Sequence, residues 1–182
     1  DLGETWEYGG RIAVDEVAHF SEPAICHTPG GRILVLLRCH RRRPGDNQCR
    51  LALVTSDDNG ATWSPWRLTS MQGCPAHLLE LRDRRIVVTV GTRWEGQRGC
   101  LARVLEPEGK DLDDALDVPV RSDSADSDCG YPWAIELRDG RVLTVYYYTY
   151  TDGTRGIEGS ILEECDYHPK DDCSVQQSQS LD

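Results

Sequence analysis

Arginines, tyrosines and carboxylates recur at matching places of a segment that the chain repeats three times. The copies read PAICHTPGGRILVLLR from Pro23 to Arg38, PAHLLELRDRRIVVTVGTR from Pro75 to Arg93, and PWAIELRDGRVLTVYYY from Pro132 to Tyr148. The first two copies end on Arg38 and Arg93, and the third runs into Tyr146, Tyr147 and Tyr148. Around the starts of the copies stand Glu22, His77, Asp128, Tyr131 and Trp133. Guanidinium forks bind a carboxylate through paired hydrogen bonds. Aromatic faces offer apolar area to a sugar ring, and carboxylates accept sugar hydroxyls. The set suits a polyhydroxylated, anionic ligand. Plainer roles stand beside each: Arg38 and Arg93 as strand-end charges, His77 as a hydrogen-bonded core residue, Glu22 and Asp128 as turn caps. Alternate residues of a strand face opposite sides, so Tyr146 and Tyr148 share one face and Tyr147 takes the other.

The elements that must hold these side chains are strands. Each copy has a proline, a short apolar strand, a turn of the GG, DR or DG type, then an arginine and a β-branched strand. The repeat returns every ~55 residues with about four strands per unit, which argues for an all-β propeller. In the first unit the spacing predicts strands over 22–28, 32–39, 49–55 and 63–69. The second unit covers 74–120, with an acidic, loop-like part from Glu106 to Asp117. The third covers 130–163, with a strand over 155–162. A propeller part over 1–163 and a polar, disordered tail over 164–182 are expected.

Up-and-down connectivity sorts the loops. The turns between strands one and two, and three and four, lie at one end of a unit. The two–three loop and the link to the next unit lie at the other. Starts of strand one and ends of strand two therefore ring one mouth near the axis, the default place for a ligand. The loop His40-Arg41-Arg42-Arg43 joins that mouth.

At the opposite end lies SDDNGATW, which fits S-x-D-x-G-x-T-W through Ser56, Asp58, Gly60, Thr62 and Trp63. Asp58 is placed to accept backbone N–H bonds from residues just ahead, Gly60 to supply a positive φ, and Trp63 to pin the turn to the sheet. Asp1 to Trp6 reads D-x-G-x-T-W, the same turn without its serine, so the chain is expected to open on the outer strand of an earlier unit. Glu106 to Leu112 reads as a decayed third copy.

The octapeptide resembles the Asp box, or BNR repeat, of the sialidase (neuraminidase) superfamily, and the likeness extends over residues 1–163, most closely in DCGYPWAIELRDGRVLTVYYY from Asp128 to Tyr148. The resemblance implies a six-bladed β-propeller of which this chain carries about three blades, either a fragment or a unit that self-associates through its open edges. It implies an exo-acting, sialidase-like glycoside hydrolase that clamps the sugar carboxylate with three arginines. Such enzymes use a tyrosine nucleophile helped by a glutamate, and an aspartate as acid/base. Tyr147, Asp128 and Glu22 are the catalytic candidates, and Arg38, Arg93, His77, Tyr131 and Trp133 the substrate-binding ones, without one-to-one assignment. The superfamily's R-I-P motif, with arginine two residues before the proline, is absent: those positions hold Ser21, Gly73 and Gly130. The first arginine of the triad is missing or lies upstream of Asp1. The other reading is a non-catalytic propeller that binds carbohydrate or protein.

Composition narrows the partners. A net charge of −11 and a pI near 4.9 suit a polyanion binder poorly, which argues against nucleic acid. The longest apolar run, Ile33 to Leu37, is far too short to span a bilayer. Carbohydrate is the expected partner and no cofactor is implied. The eight cysteines form no C-x-x-C pair, so no metal site is indicated. They read either as buried thiols or as disulfides, with Cys39–Cys49 and Cys165–Cys173 as candidate pairs. Nothing assigns a compartment, and an extracellular or periplasmic one is compatible.

Overall fold

The computed structural model describes residues 3–41 and 49–167, and in these the apolar runs of the repeats form three consecutive antiparallel sheets. The first takes β1 (Ala18–His27), β2 (Ile33–Arg41), β3 (Arg50–Ser56) and β4 (Arg67–Gln72) in chain order. The second takes β5 (Ala76–Glu80), β6 (Ile86–Trp94), β7 (Gln97–Leu105) and β8 (Val118–Arg121). The third has three strands where four were expected: β9 (Gly130–Glu136), β10 (Val142–Thr149) and β11 (Arg155–Leu162). A single 3-10 turn over Glu164–Asp166 is the helical element among the described residues. The rest of the expected tail, 168–182, lies outside them, as do Arg42 and Arg43 of the two–three loop.

Period-two alternation gives each sheet two apolar faces, and the sheets stack through them. Leu34, Leu36, Leu51, Leu53 and Met71 of the first sheet meet Leu78, Ile86, Val88, Val90 and Leu101 of the second. The second sheet's other face, with Leu81, Val87 and Ala102, meets Ala134, Val142 and Leu162 of the third. The opening strands β1, β5 and β9 lie side by side, so the sheets converge on their first strands as the blades of a propeller do. The outer face of the third sheet is different. Trp133, Ile135, Val145, Ile157 and Ile161 lie on one face, all exposed, at positions related by register to those buried in the first two sheets.

The octapeptide behaves as its residues predict. Asp58 accepts from the Thr62 N–H (2.8 Å), the Thr62 hydroxyl (2.6 Å) and the Ser56 hydroxyl (2.8 Å), while Gly60 holds φ at +85°. Trp63 is half-buried against the apolar cluster on the first sheet's outer face, which includes Ile33, Val35 and Val54. Because Trp63 belongs to the turn, β4 begins at Arg67 and not at 63. Ser56 pairs with Ile33 and Leu51 with Arg38, so the box lies at the far end of the sheet from Arg38.

Other expectations need correction. The described residues before Ala18 form no strand. Trp6 is 90% exposed, with its indole N–H on Gly3 O. Cysteine pairing also differs. Register sets Cys39 opposite Arg50, and the disulfide joins Cys49 to Cys74, with Cα atoms 6.1 Å apart. Closing that 25-residue separation restricts the unfolded chain by about 3.5 kcal/mol in the loop-entropy treatment. Cys26, Cys100 and Cys129 are thiols, so both readings of the cysteines hold in part. The Cys165–Cys173 pair falls outside the described side chains. The decayed box forms a turn in which Asp111 accepts the Glu106 N–H at 3.1 Å, and Glu108 reaches Thr28 Oγ1 (3.0 Å) and Gly30 N (2.9 Å) of the first sheet.

Candidate functional site

In each copy of the repeat the residue just before the proline stands at the convergent mouth: Glu22, Cys74 and Tyr131 precede Pro23, Pro75 and Pro132. Bulges lie beside two of these positions, between Ser21 and Ala24 in β1 and opposite Val145–Tyr147 in β9. An extra residue in a bulge re-aims a side chain, and here Glu22 and Tyr131 meet from the first and third sheets. Tyr131 Oη donates to Glu22 Oε1 at 2.6 Å.

From that contact a polar chain crosses all three sheets. Arg38 Nη1 grips both oxygens of Glu22 at 2.9 and 3.1 Å. The Arg93 guanidinium lies 5.7 Å from the centre of the Tyr131 ring, and its Nη2 donates to Tyr147 Oη at 3.1 Å. Tyr147 in turn donates to Asp128 Oδ1 at 2.5 Å, and Arg155 Nη2 pairs with Asp128 Oδ2 at 2.9 Å. The Nε atoms of both Arg38 and Arg93 are buried without a hydrogen-bond partner. Each guanidinium thus keeps a donor uncommitted.

Charge states follow from these contacts. Burial pushes the Glu22 carboxyl up, but the Tyr131 and Arg38 hydrogen bonds and the charges of Arg38 and Arg93 outweigh it and hold its pKa low. The Tyr147 hydrogen bond lowers Asp128, with help from Arg155 and Arg93. Burial and the bond to Asp128 push Tyr147 up to about 12, against Arg93. At neutral pH the cluster holds two carboxylates, protonated tyrosines and three cations.

A cavity of about 340 Å³ opens between the first and second sheets. Arg38 and His40 line one side, Arg93 and Trp94 the other, with Gln72 and the Cys49–Cys74 disulfide between them. Burial and the nearby Arg38 charge lower the His40 pKa.

The expected residues divide into two groups. Arg38, Glu22, Arg93, Tyr131, Tyr147 and Asp128 come together. His77 and Trp133 stand lower on the sheets, with their rings tilted at 34° and centred 4.5 Å apart, and His77 Nδ1 accepts the Ala134 N–H at 3.2 Å. Tyr146 and Tyr148 are buried on the face opposite Tyr147, bonded to Ser160 and to the Asp123 carbonyl. Gln72, Trp94 and Arg155 were not singled out from sequence. Arg155 had a signal: the TDGT turn before it sets it opposite Thr149, whose hydroxyl bonds the Asp128 carbonyl.

These sheets, stacked face to face about their first strands, define three blades of a β-propeller. Solved structures agree on the fold. A protein of unknown function from Dyadobacter fermentans DSM 18053 is 37% identical with a TM-score of 0.80, over 90% of this chain and 43% of that one. A point mutant of NanB sialidase from Streptococcus pneumoniae is 20% identical (TM-score 0.58), over 92% of this chain and 27% of that one. A xylan beta-1,4-xylosidase from Bacillus halodurans C-125 is 12% identical (TM-score 0.56), over 82% of this chain and 29% of that one. The chain thus spans less than half the length of each. No protein-family model matches it, and no curated protein does.

Proposed function

We propose that the mouth is a carbohydrate site of the sialidase-like glycoside hydrolase type, with Arg38 and Arg93 gripping the acidic group of a terminal sugar. The observation that carries this reading is the pair of arginines on either side of one cavity, each tied to a tyrosine–carboxylate couple. In the hydrolytic form Tyr147 Oη attacks the anomeric carbon as the bond to the leaving oxygen breaks, and its proton passes to Asp128, which already accepts it; water then attacks the same carbon, returns a proton to Tyr147 Oη and frees the sugar. The leaving oxygen then needs an acid. Both carboxyls of the cluster are held below their usual pKa, so neither suits that role. Substrates with a good leaving group are therefore favoured.

That same observation favours a second reading, a non-catalytic binding module. One set of assays separates the two. Each charge-assisted bond contributes about 1.5–3 kcal/mol gross, offset by ordering and desolvation, so weak binding of N-acetylneuraminic acid is expected. Slow release of fluorophore from an aryl sialoside, lost in both Arg93→Ala and Tyr147→Phe, supports the hydrolase. Binding without turnover, lost in Arg93→Ala and kept in Tyr147→Phe, supports the module. No binding to any of a panel of acidic and neutral sugars overturns both.

A further inference from the structure

The two arginines belong to different blades. On the first blade the apolar core between them reaches the level of Arg38, which is in register with Leu51, while on the second its members nearest the mouth are Val90 and Leu101, three residues short of Arg93. On that side the blades also meet through the short link between them. Gly73 N donates to Cys49 O (3.0 Å), Cys74 N to Gly91 O (2.8 Å) and Gly91 N to Pro75 O (3.4 Å). A Cβ on Gly73 would stand 2.7 Å from Gly91 O, and one on Gly91 2.9 Å from Cys74 O, so the backbones are in direct contact. The Cys49–Cys74 bond crosses the same gap covalently and forms part of the cavity wall. Cys49 adjoins Arg50, which is in register with Cys39, next to Arg38. On the other side Gly91 lies two residues before Arg93.

Resting on the carbohydrate reading above, we infer that Cys49 and Cys74 are positioning residues of the site: their disulfide sets the separation of Arg38 and Arg93 across the cavity, and ligand grip depends on its oxidised state. Two guanidinium groups converging on one ligand must be placed to within about 0.5 Å, and a misplacement of about 1 Å costs on the order of 100-fold. The blades themselves stay stacked through Leu34, Leu36, Ile86 and Val88, which lie away from the bond. Reduction is a two-electron exchange. A dithiol's thiolate attacks the sulfur of half-buried Cys49, Cys74 leaves as thiolate and takes a proton, and the dithiol departs as its cyclic disulfide, leaving two thiols.

The test uses the full chain in oxidised form, after dithiothreitol, and as the Cys49→Ser/Cys74→Ser variant, which excludes effects of reductant elsewhere. N-acetylneuraminic acid is titrated by intrinsic tryptophan fluorescence, and the Nε–H signals of Arg38 and Arg93 are followed by NMR beside the amides of Leu36 and Val88. Binding at least tenfold weaker in both altered forms is expected, with the two arginine signals moved and the two core amides unmoved. Unmoved arginine signals, or equal affinity in all three forms, overturn the inference even if the sugar binds. If the arginine signals move but no sugar binds the oxidised chain, the positioning role stands and the carbohydrate reading falls. If the core amides move as well, the bond is a general fold element and the inference fails.

Discussion

Tyr131 and Glu22, joined by a 2.6 Å hydrogen bond, both hold φ in the left-handed region, at +51° and +46°. Residues before proline favour extended backbone, and a bulky residue at positive φ costs of order 1–3 kcal/mol. Neighbouring sheets hold both in place. Tyr131→Gly should be at least as stable as Tyr131→Phe in urea melts, since relief of φ offsets the lost ring. A glycine variant less stable by more than about 1 kcal/mol would show that no strain is held there.

The Asp58 turn should govern part of the acid limb. Hydrogen bonds from the Thr62 hydroxyl and N–H and from Ser56 bring the Asp58 pKa down to about 2. A depressed carboxyl contributes stability that is complete above its unfolded pKa of about 3.9. That contribution is lost as pH falls through about 2. Asp58→Asn should flatten the stability profile between roughly pH 4 and pH 2, and an unchanged slope in chemical melts would refute the assignment.

Trp63 is half-buried, so Trp63→Ala should cost about 2 kcal/mol, below the 3–5 of a fully buried ring. The box lies at the far end of the sheet from Arg38, so sugar affinity should stay within error. A loss of affinity at full folding would break the separation between the two ends.

His77 supplies a pH effect of the opposite chemical type. Burial lowers its pKa, and its Nδ1 must stay unprotonated to accept the Ala134 N–H. The unfolded chain then takes up the proton first, so stability declines as pH falls below about 6.5. His77→Phe should remove that decline. If the decline between pH 6.5 and 5 persists in the variant, another group carries it.

The exposed outer face of the third sheet should make the chain self-associate, since apolar patches of this kind are interaction surfaces. Ile157→Lys and Ile135→Lys alter exposed positions and should lower the apparent mass in light scattering with melting unchanged. A parent chain that is monomeric at high concentration would contradict this.

Strands and cluster were legible in the sequence to different degrees. Alternation fixes faces, so Tyr147 could be separated from Tyr146 and Tyr148, and the repeated strand ends brought Arg38 and Arg93 to one mouth. Pairings between blades were not legible. Cys49 and Cys74 meet because the inter-blade link folds back on β3, and nothing local in either segment encodes that return. His77 and Trp133 sat in the right repeat positions, yet His77 pairs with Thr89, four residues before Arg93, roughly 13 Å down the strand. Trp63 was read both as the ring that pins the turn and as the start of strand four; the first reading holds, and the strand starts at Arg67.

The position before each repeat proline has a consequence for how such a protein changes over time. The proline has no N–H to donate, and at Glu22 and Tyr131 a bulge frees the side chain from the ladder, so the contacts across the mouth, more than the sheet, decide what stands there. One chain already carries glutamate, cysteine and tyrosine there. The first and third blades thus each offer a socket at the mouth, while in the second Cys74 is committed to its bond with Cys49. The lining of the mouth can be altered one charge or ring at a time, and ligand preference can drift between relatives whose blades remain superimposable.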